Sequence, residues 1–370
     1  MYSMDLSFDE FAHSVLTYMA WVFTGDILDK EKRVFFRVKN SKAEIAVKSN
    51  TILVNEQLNA NINCKDEWVF VLDYFTLKKI VETYSKMSAT YIDRIHFIKD
   101  DHGVIIELDE LVRDGYNFNI QQKSRFFYGQ PAKINTEKIF DSTQHTALDG
   151  EVPDFIKLLD ALVPKMNVDT RLQFEGNTAL LRNENIYGYR NTNPNILKRG
   201  TAYTSQESIF LRQLFKKNKQ GISYGETGNH LIILWENKIA MLTKIKIIKP
   251  LEQILKHEPF LWEMTVNGGY FFDLLRRFNK DDDITMVIQG TNLKMKTKET
   301  EQTIPLSKAT KEADGKSFVI SKKALTNILL TASEEITLSF IEKKSRGRAT
   351  HYLCYATDHA WIAVTQVRKV

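Results

Sequence analysis

The sequence predicts an α+β fold of three similar domains, each built from two βαβββ-like repeats. Three observations carry this. Helical stretches show one apolar stripe at the 3.6-residue period, short strands of alternating polarity follow each of them, and the order recurs six times along 370 residues. Helix starts near 8, 74, 153, 205, 268 and 321 group in pairs, which places the domains at 1–125, 126–248 and 249–370.

The first repeat has Phe8, Phe11, Ala12, Val15 and Met19 on one helical stripe, then strands at 34–38 and 43–47. In the second, a strand at 68–72 precedes a helix with Leu77, Ile80, Val81, Tyr84 and Met87 on its stripe, and a hairpin at 94–98 and 104–108 follows. The third has Phe155, Leu158, Leu159, Leu162 and Met166, with strands at 172–174 and 179–181. The fourth has Phe210, Leu211, Leu214 and Phe215 after a strand at 201–203, with strands at 221–224 and 231–235. A strand at 261–266 opens the fifth, whose helix carries Phe271, Leu274, Leu275 and Phe278 before strands at 284–288 and 293–296. The sixth runs from a strand at 317–320 through Leu325, Ile328, Leu329 and Ala332 to strands at 336–340 and 352–355. Hairpin turns that pair Gly with Asn recur at 175–177, 227–229 and 290–292, where a left-handed residue is needed. Ser7 with Glu10 and Thr204 with Glu207 match capping boxes, and Asp73 and Asn267 stand where an N-cap side chain accepts backbone N–H bonds.

Composition is that of an ordinary globular protein, with 43% hydrophobic residues and 51 Lys+Arg against 46 Asp+Glu for a net charge of +5. Cys64 and Cys354 lie too far apart in sequence for a C-x-x-C pair, so neither a disulfide framework nor a metal finger is expected and a reducing cytoplasm is the natural compartment. The N-terminal stretch has no signal-peptide pattern, and no window approaches the ~18 uninterrupted apolar residues of a membrane span. Phosphate-binding loops, dinucleotide fingerprints, zincin motifs and nucleophile elbows are absent, so no cofactor or metal is expected. Asp281-Asp282-Asp283 reads as a solvated turn, and His351 and His359 as surface or packing residues.

One apolar stripe per helix leaves the opposite face to solvent, and those faces are basic. They carry Lys78, Lys79 and Lys86 on the second helix, Lys157 and Lys165 on the third, and Arg212, Lys216, Lys217 and Lys219 on the fourth. The fifth adds Arg276, Arg277 and Lys280, the sixth Lys322 and Lys323, and the turn after the first helix Lys30, Lys32 and Arg33. Helices stacked on a common side would form a surface for sequence-independent phosphate contact, diluted by Asp160, Glu207 and Asp273.

With six such units, and with the helix, Gly-Ile-Ser-Tyr strand, Gly-Asn turn and Leu-Ile-Ile-Leu strand between 209 and 244, the chain resembles the bacterial β-type DNA polymerase sliding clamps over essentially its whole length. The resemblance implies a non-catalytic, cytoplasmic processivity factor. Two head-to-tail chains would encircle duplex DNA, with helices inside and sheets outside, and would tether a polymerase. It implies a pocket for short peptides of polymerase and clamp loader, lined by Leu158, Leu162, Tyr187, Pro250, Leu255, Ile362 and Val364, and a subunit contact at Ile105, Ile106, Leu108 and Phe278. The C-terminal sequence Val364-Thr-Gln-Val-Arg-Lys-Val370 lacks the family's Met-Pro-Met-Arg ending. Low Gly and Pro with abundant Lys, Asn and Ile would suit an AT-rich, phage-encoded clamp. The alternative is a hydrolase of repeated α/β units using Asp281 and Asp283 as acid and base.

Overall fold

The computed structural model describes residues 2–24, 32–87, 90–114, 117–130, 139–140, 153–175, 178–183, 185–190, 201–218, 221–227, 229–246, 260–329, 334–345, 348–356 and 361–369. The helices that open the six repeats are α1 (Phe8–Ser14), α2 (Tyr74–Tyr84), α3 (Pro153–Leu162), α4 (Ser205–Lys217), α5 (Gly268–Leu275) and α6 (Lys322–Ile328). α1 runs on through a π-helical turn, Val15–Met19, and a last turn, Ala20–Val22. Four of these helices start in the same way. Ser7 Oγ accepts from the Glu10 N–H (3.5 Å), Asp73 Oδ1 from Thr76 (3.0 Å), Asn267 Oδ1 from Tyr270 (2.9 Å) and Ser321 Oγ from Ala324 (3.1 Å), each relieving an amide that the helix leaves unpaired. α2 stops at Tyr84, so Met87 leaves the stripe and is exposed. α6 stops at Ile328, short of the Leu329 that the periodicity included, while Ala332 lies outside the described residues.

Contacts group the chain into two compact units, Met1–Val152 with Gln206–Ile245, and Pro153–Ser205 with Lys246–Val370. In the first unit one antiparallel sheet runs in the order Ala60–Asn63, Ser3–Ser7, Thr90–Asp100, Gly103–Asp114, Asn117–Gly129. A second runs Ile222–Thr227, His230–Trp235, Lys238–Thr243, Ile52–Leu58, Lys42–Lys48, Arg33–Lys39, Trp68–Asp73. The join within it is the ladder between Lys238–Thr243 and Ile52–Leu58, with Met241 opposite Leu53. Phe11, Phe36, Phe70 and Phe97 make one aromatic core, with Phe36 stacked on Phe70 at 4.5 Å and Phe11 edge-on to Phe97 at 5.6 Å. α4 packs here through Phe210, 6.4 Å from the Trp235 ring, and the Gln206 side chain donates to the Val22 carbonyl (2.8 Å).

In the second unit the strand Trp361–Lys369 is the hub. It pairs with Asn185–Arg190, the last of four antiparallel strands of the third and fourth repeats, and also with Arg348–Ala356 and Ser317–Ser321. From Ser317–Ser321 the pairing proceeds through Asp283–Gln289, Asn292–Lys296, Glu301–Ala309, Trp262–Asn267, Glu335–Ser345 and Arg348–Ala356 back to the hub, a closed circuit around a core of Trp262, Phe318 and Phe340. The fourth repeat therefore divides by contact: its opening strand Thr201–Thr204 pairs with Arg171–Glu175 of the third, whose sheet continues at 361–369, while its later strands continue the sheet at 52–58.

Candidate nucleic-acid interface

α2 presents the best-formed basic patch. Lys78, Lys79 and Lys86 line a shallow depression of about 500 Å³ with Phe75, Glu82 and Thr83, and Lys32 sits 4.8 Å over the Phe75 ring. Lys78 is half-buried and pairs with Glu82 at 3.7 Å, one turn along the helix, whereas Lys79 and Lys86 are exposed. Arg33 is exposed at the start of its strand. In the second unit Lys322 Nζ donates to the Phe278 carbonyl, so the end of α5 and the start of α6 meet, and Arg276, Arg277, Lys280 and Lys323 flank that junction. Arg276 pairs with Asp273 at 3.1 Å and Arg277 donates to Gln302 at 3.1 Å. Lys322 is thereby held against the turn that follows α5. Lys157 on α3 and Lys216 and Lys217 on α4 are exposed, and Arg212 and Lys165 are half-buried, burial holding the Lys165 ammonium pKa below its usual value. Lys30 and Lys219 lie outside the described residues.

No family model and no curated protein matches the chain. Solved structures do, end to end: the DNA polymerase III β subunit of Thermotoga maritima (TM-score 0.70, 10% identity, 100% of both chains), the DNA polymerase sliding clamp of Bacillus subtilis (0.70, 11%, 100% and 99%) and the polymerase III β chain of Streptococcus pneumoniae (0.69, 12%, 100% of both). The fold is that of the bacterial sliding clamps.

On this clamp fold the expected pocket residues divide between two faces of one sheet. Ile186 stands opposite Val364 and Tyr187 opposite Ala363, so alternation sends Val364 to one side with Ile186 and Cys354, and Tyr187 to the other. Leu158, Leu162 and Tyr187 are fully buried on the helix side, where the Asn185 amide donates to the Tyr187 hydroxyl (2.9 Å). Ile186, Cys354 and Val364, flanked by half-buried Ile341 and Tyr352, form the apolar cluster of the other side. One pocket cannot take side chains from both. Ile362 is described only by its backbone, opposite Gly188, and Pro250 and Leu255 lie outside the described residues.

The expected subunit contact also shifts. Gly103–Asp114 is an interior strand, paired on both sides, with Ile106 and Leu108 fully buried against the helices and Ile105 half-exposed on the other face. Phe278 is buried as well. Open edges lie elsewhere, at Ala60–Asn63 and Ile222–Thr227 among others, and among the described residues no strand pairs the outer side of Asn117–Gly129, nor that of Glu301–Pro305. The stretch 117–129 is hard to read from sequence because its apolar residues, at 118, 120, 126 and 127, break the period of two.

Of the two carboxylates of the alternative reading, Asp281 is exposed in the turn and Asp283 is held in an ion pair, with Asp282 between them shaping the turn. Asp282 accepts from the Asn279 N–H (2.7 Å) and closes the turn, and Asp283 pairs with Arg368 of the C-terminal strand. Among the described residues no three His, Cys, Asp or Glu side chains are arranged to hold a metal ion. Sequence reasoning missed Phe75, which stands off the α2 stripe and is 37% exposed, and Tyr270 on α5, 45% exposed. An aromatic residue outside the apolar stripe was the available signal.

Proposed function

We propose that the chain is a DNA polymerase sliding clamp. It closes as a head-to-tail homodimeric ring on duplex DNA, holds the DNA through sequence-independent phosphate contacts and tethers a polymerase, without catalysing a reaction. The end-to-end match to the clamp fold carries the reading, and the basic patches on α2 and at the α5–α6 junction supply the electrostatics it needs. In this reading the domains are 1–125, 126–248 and 249–370, and the ring closes through the open edges Asn117–Gly129 of one protomer and Glu301–Pro305 of its partner. Edge strands otherwise invite uncontrolled pairing, and closure of the ring would cover both. Peptides of the polymerase and clamp loader dock at half-buried Ile341 and Tyr352, which flank the apolar cluster Ile186, Cys354 and Val364. The same reading places the protein where the DNA is, in a bacterial or phage-infected cytoplasm. Among the described residues no helix is long and apolar enough to cross a membrane.

Loading onto nicked circular DNA tests the topology. Protein that co-elutes with the circle and is released when the circle is cut supports a ring, and equal retention on linear and circular DNA refutes it. Light scattering should give about twice the 42.9 kDa chain mass.

A further inference from the structure

The seven-stranded sheet of the first unit has a second apolar face. Glu56 accepts from Ser14 and Tyr18 of the first helical segment, so Ile52, Val54 and Glu56 face that segment and Leu53 and Asn55 face away from it. On that far side Ala46, Leu53, Ile232 and Met241, flanked by half-buried Phe35, Leu234 and Ile239, make a hydrophobic strip that crosses the join between Lys238–Thr243 and Ile52–Leu58. Ile139 and Phe140 cover the strip, and both are almost fully buried.

The coverage is specific in its geometry. The Asn55 side-chain amide, in the middle of the strip, donates to the Ile139 carbonyl at 3.1 Å. The Arg37 guanidinium lies 4.5 Å over the Phe140 ring and is held there by Glu44 at 2.8 Å. Aliphatic side chain, main-chain carbonyl and aromatic ring are thus each recognised by a separate group. Neither Ile139 nor Phe140 belongs to a helix or a strand, so the sheet binds them as it would bind a short peptide.

We propose that this strip is a peptide-docking groove selective for an adjacent aliphatic–aromatic pair, and that Ile139-Phe140 is its built-in occupant. A partner protein carrying such a pair in a turn competes with the chain's own copy for Leu53, Met241, Asn55 and Arg37. The inference stands apart from the ring and from the cluster at Ile186 and Val364, because none of its groups lies on the edges Asn117–Gly129 and Glu301–Pro305 or in the second unit.

The test titrates a fluorescein-labelled peptide of residues 134–145 into the full chain and into the Ile139→Ala/Phe140→Ala variant, read by anisotropy. A tethered occupant competes at an effective concentration on the order of millimolar. The variant should therefore bind the peptide at least about ten-fold tighter than the unaltered chain, and a peptide with Ala at both positions should not bind. Equal affinity of the variant and the unaltered chain, or equal binding of the two peptides, overturns the proposal, as does no binding by a variant that melts cooperatively. If the variant does not fold, the unaltered chain decides. Saturable shifts of the Leu53, Ile232 and Met241 methyl signals at millimolar peptide support the groove, and their absence overturns it.

Discussion

Glu56 and Lys238 are charged yet buried, and the ladder that joins Ile52–Leu58 to Lys238–Thr243 places them opposite each other at 3.2 Å. Ser14 and Tyr18 donate to the carboxylate at 3.0 and 2.7 Å, while Glu236 and Asn237 hold the ammonium, each at 2.8 Å. Burial, then the neighbouring Glu56 charge, pushes the Tyr18 hydroxyl pKa well above its usual value, so it stays a donor. Removing one partner of such a pair strands the other. Lys238→Ala should cost about 3–5 kcal/mol in urea unfolding, and Glu56→Gln/Lys238→Met should recover most of it. His96 offers a pH readout. Burial disfavours its charge, but Asp5 on Nδ1 (2.9 Å) and Asp109 on Nε2 (2.8 Å) outweigh burial and raise its pKa. A raised folded-state pKa gives stability that is complete below the ordinary histidine value near 6.5 and is lost as pH rises through the folded value. The urea midpoint should fall as pH is raised from about 6 to about 8, and His96→Gln should flatten that dependence. At the α2 patch, Lys79→Glu/Lys86→Glu should weaken duplex binding for all sequences alike, lowering the slope of log affinity against log salt by about 0.9 for each phosphate no longer neutralised.

At the scale of elements, caps and hairpins carry the sequence's local instructions. Asp73→Ala removes the Thr76 cap of α2 and should cost about 1 kcal/mol, measurable as a lower melting temperature. Gly103 opens the strand Gly103–Asp114 where the neighbouring strand passes so closely that a Cβ would run into the Tyr128 carbonyl oxygen. Gly103→Ala should therefore cost about 1–3 kcal/mol and raise amide exchange along Asn117–Gly129. The edge of Trp68–Asp73 is closed by a side chain: Gln130 accepts from the Val71 N–H (2.8 Å) and donates to its carbonyl (2.9 Å), taking the place of a paired residue. Helices and hairpins were legible because each is encoded within a dozen or so residues, by an apolar stripe, an alternation and a cap. Which strand ends a sheet was not, since that depends on what the next strand does, and the strand after Gly103–Asp114 has no clear alternation of its own.

Across the whole molecule, six repeats, an apolar stripe on every opening helix and basic residues on the opposite helix faces were all in the sequence, and the repeats suffice for the clamp fold. Tertiary structure alone decided how the repeats are shared between compact units. It decided that Ile106 and Leu108 belong to the core rather than to a subunit contact, and that Val364 and Tyr187 lie on opposite faces of one sheet. It also decided that Ile139 and Phe140 cover a sheet formed by strands from 33–58 and 230–243. The physical reason is the same each time. A periodicity records that a side chain is buried, because burial follows from the local turn of the backbone, but it does not record against what. That neighbour is fixed by ladders such as those joining Lys238 to Glu56 and Asn185 to Thr365, far apart along the chain, and such pairing leaves no trace in the local pattern of either strand.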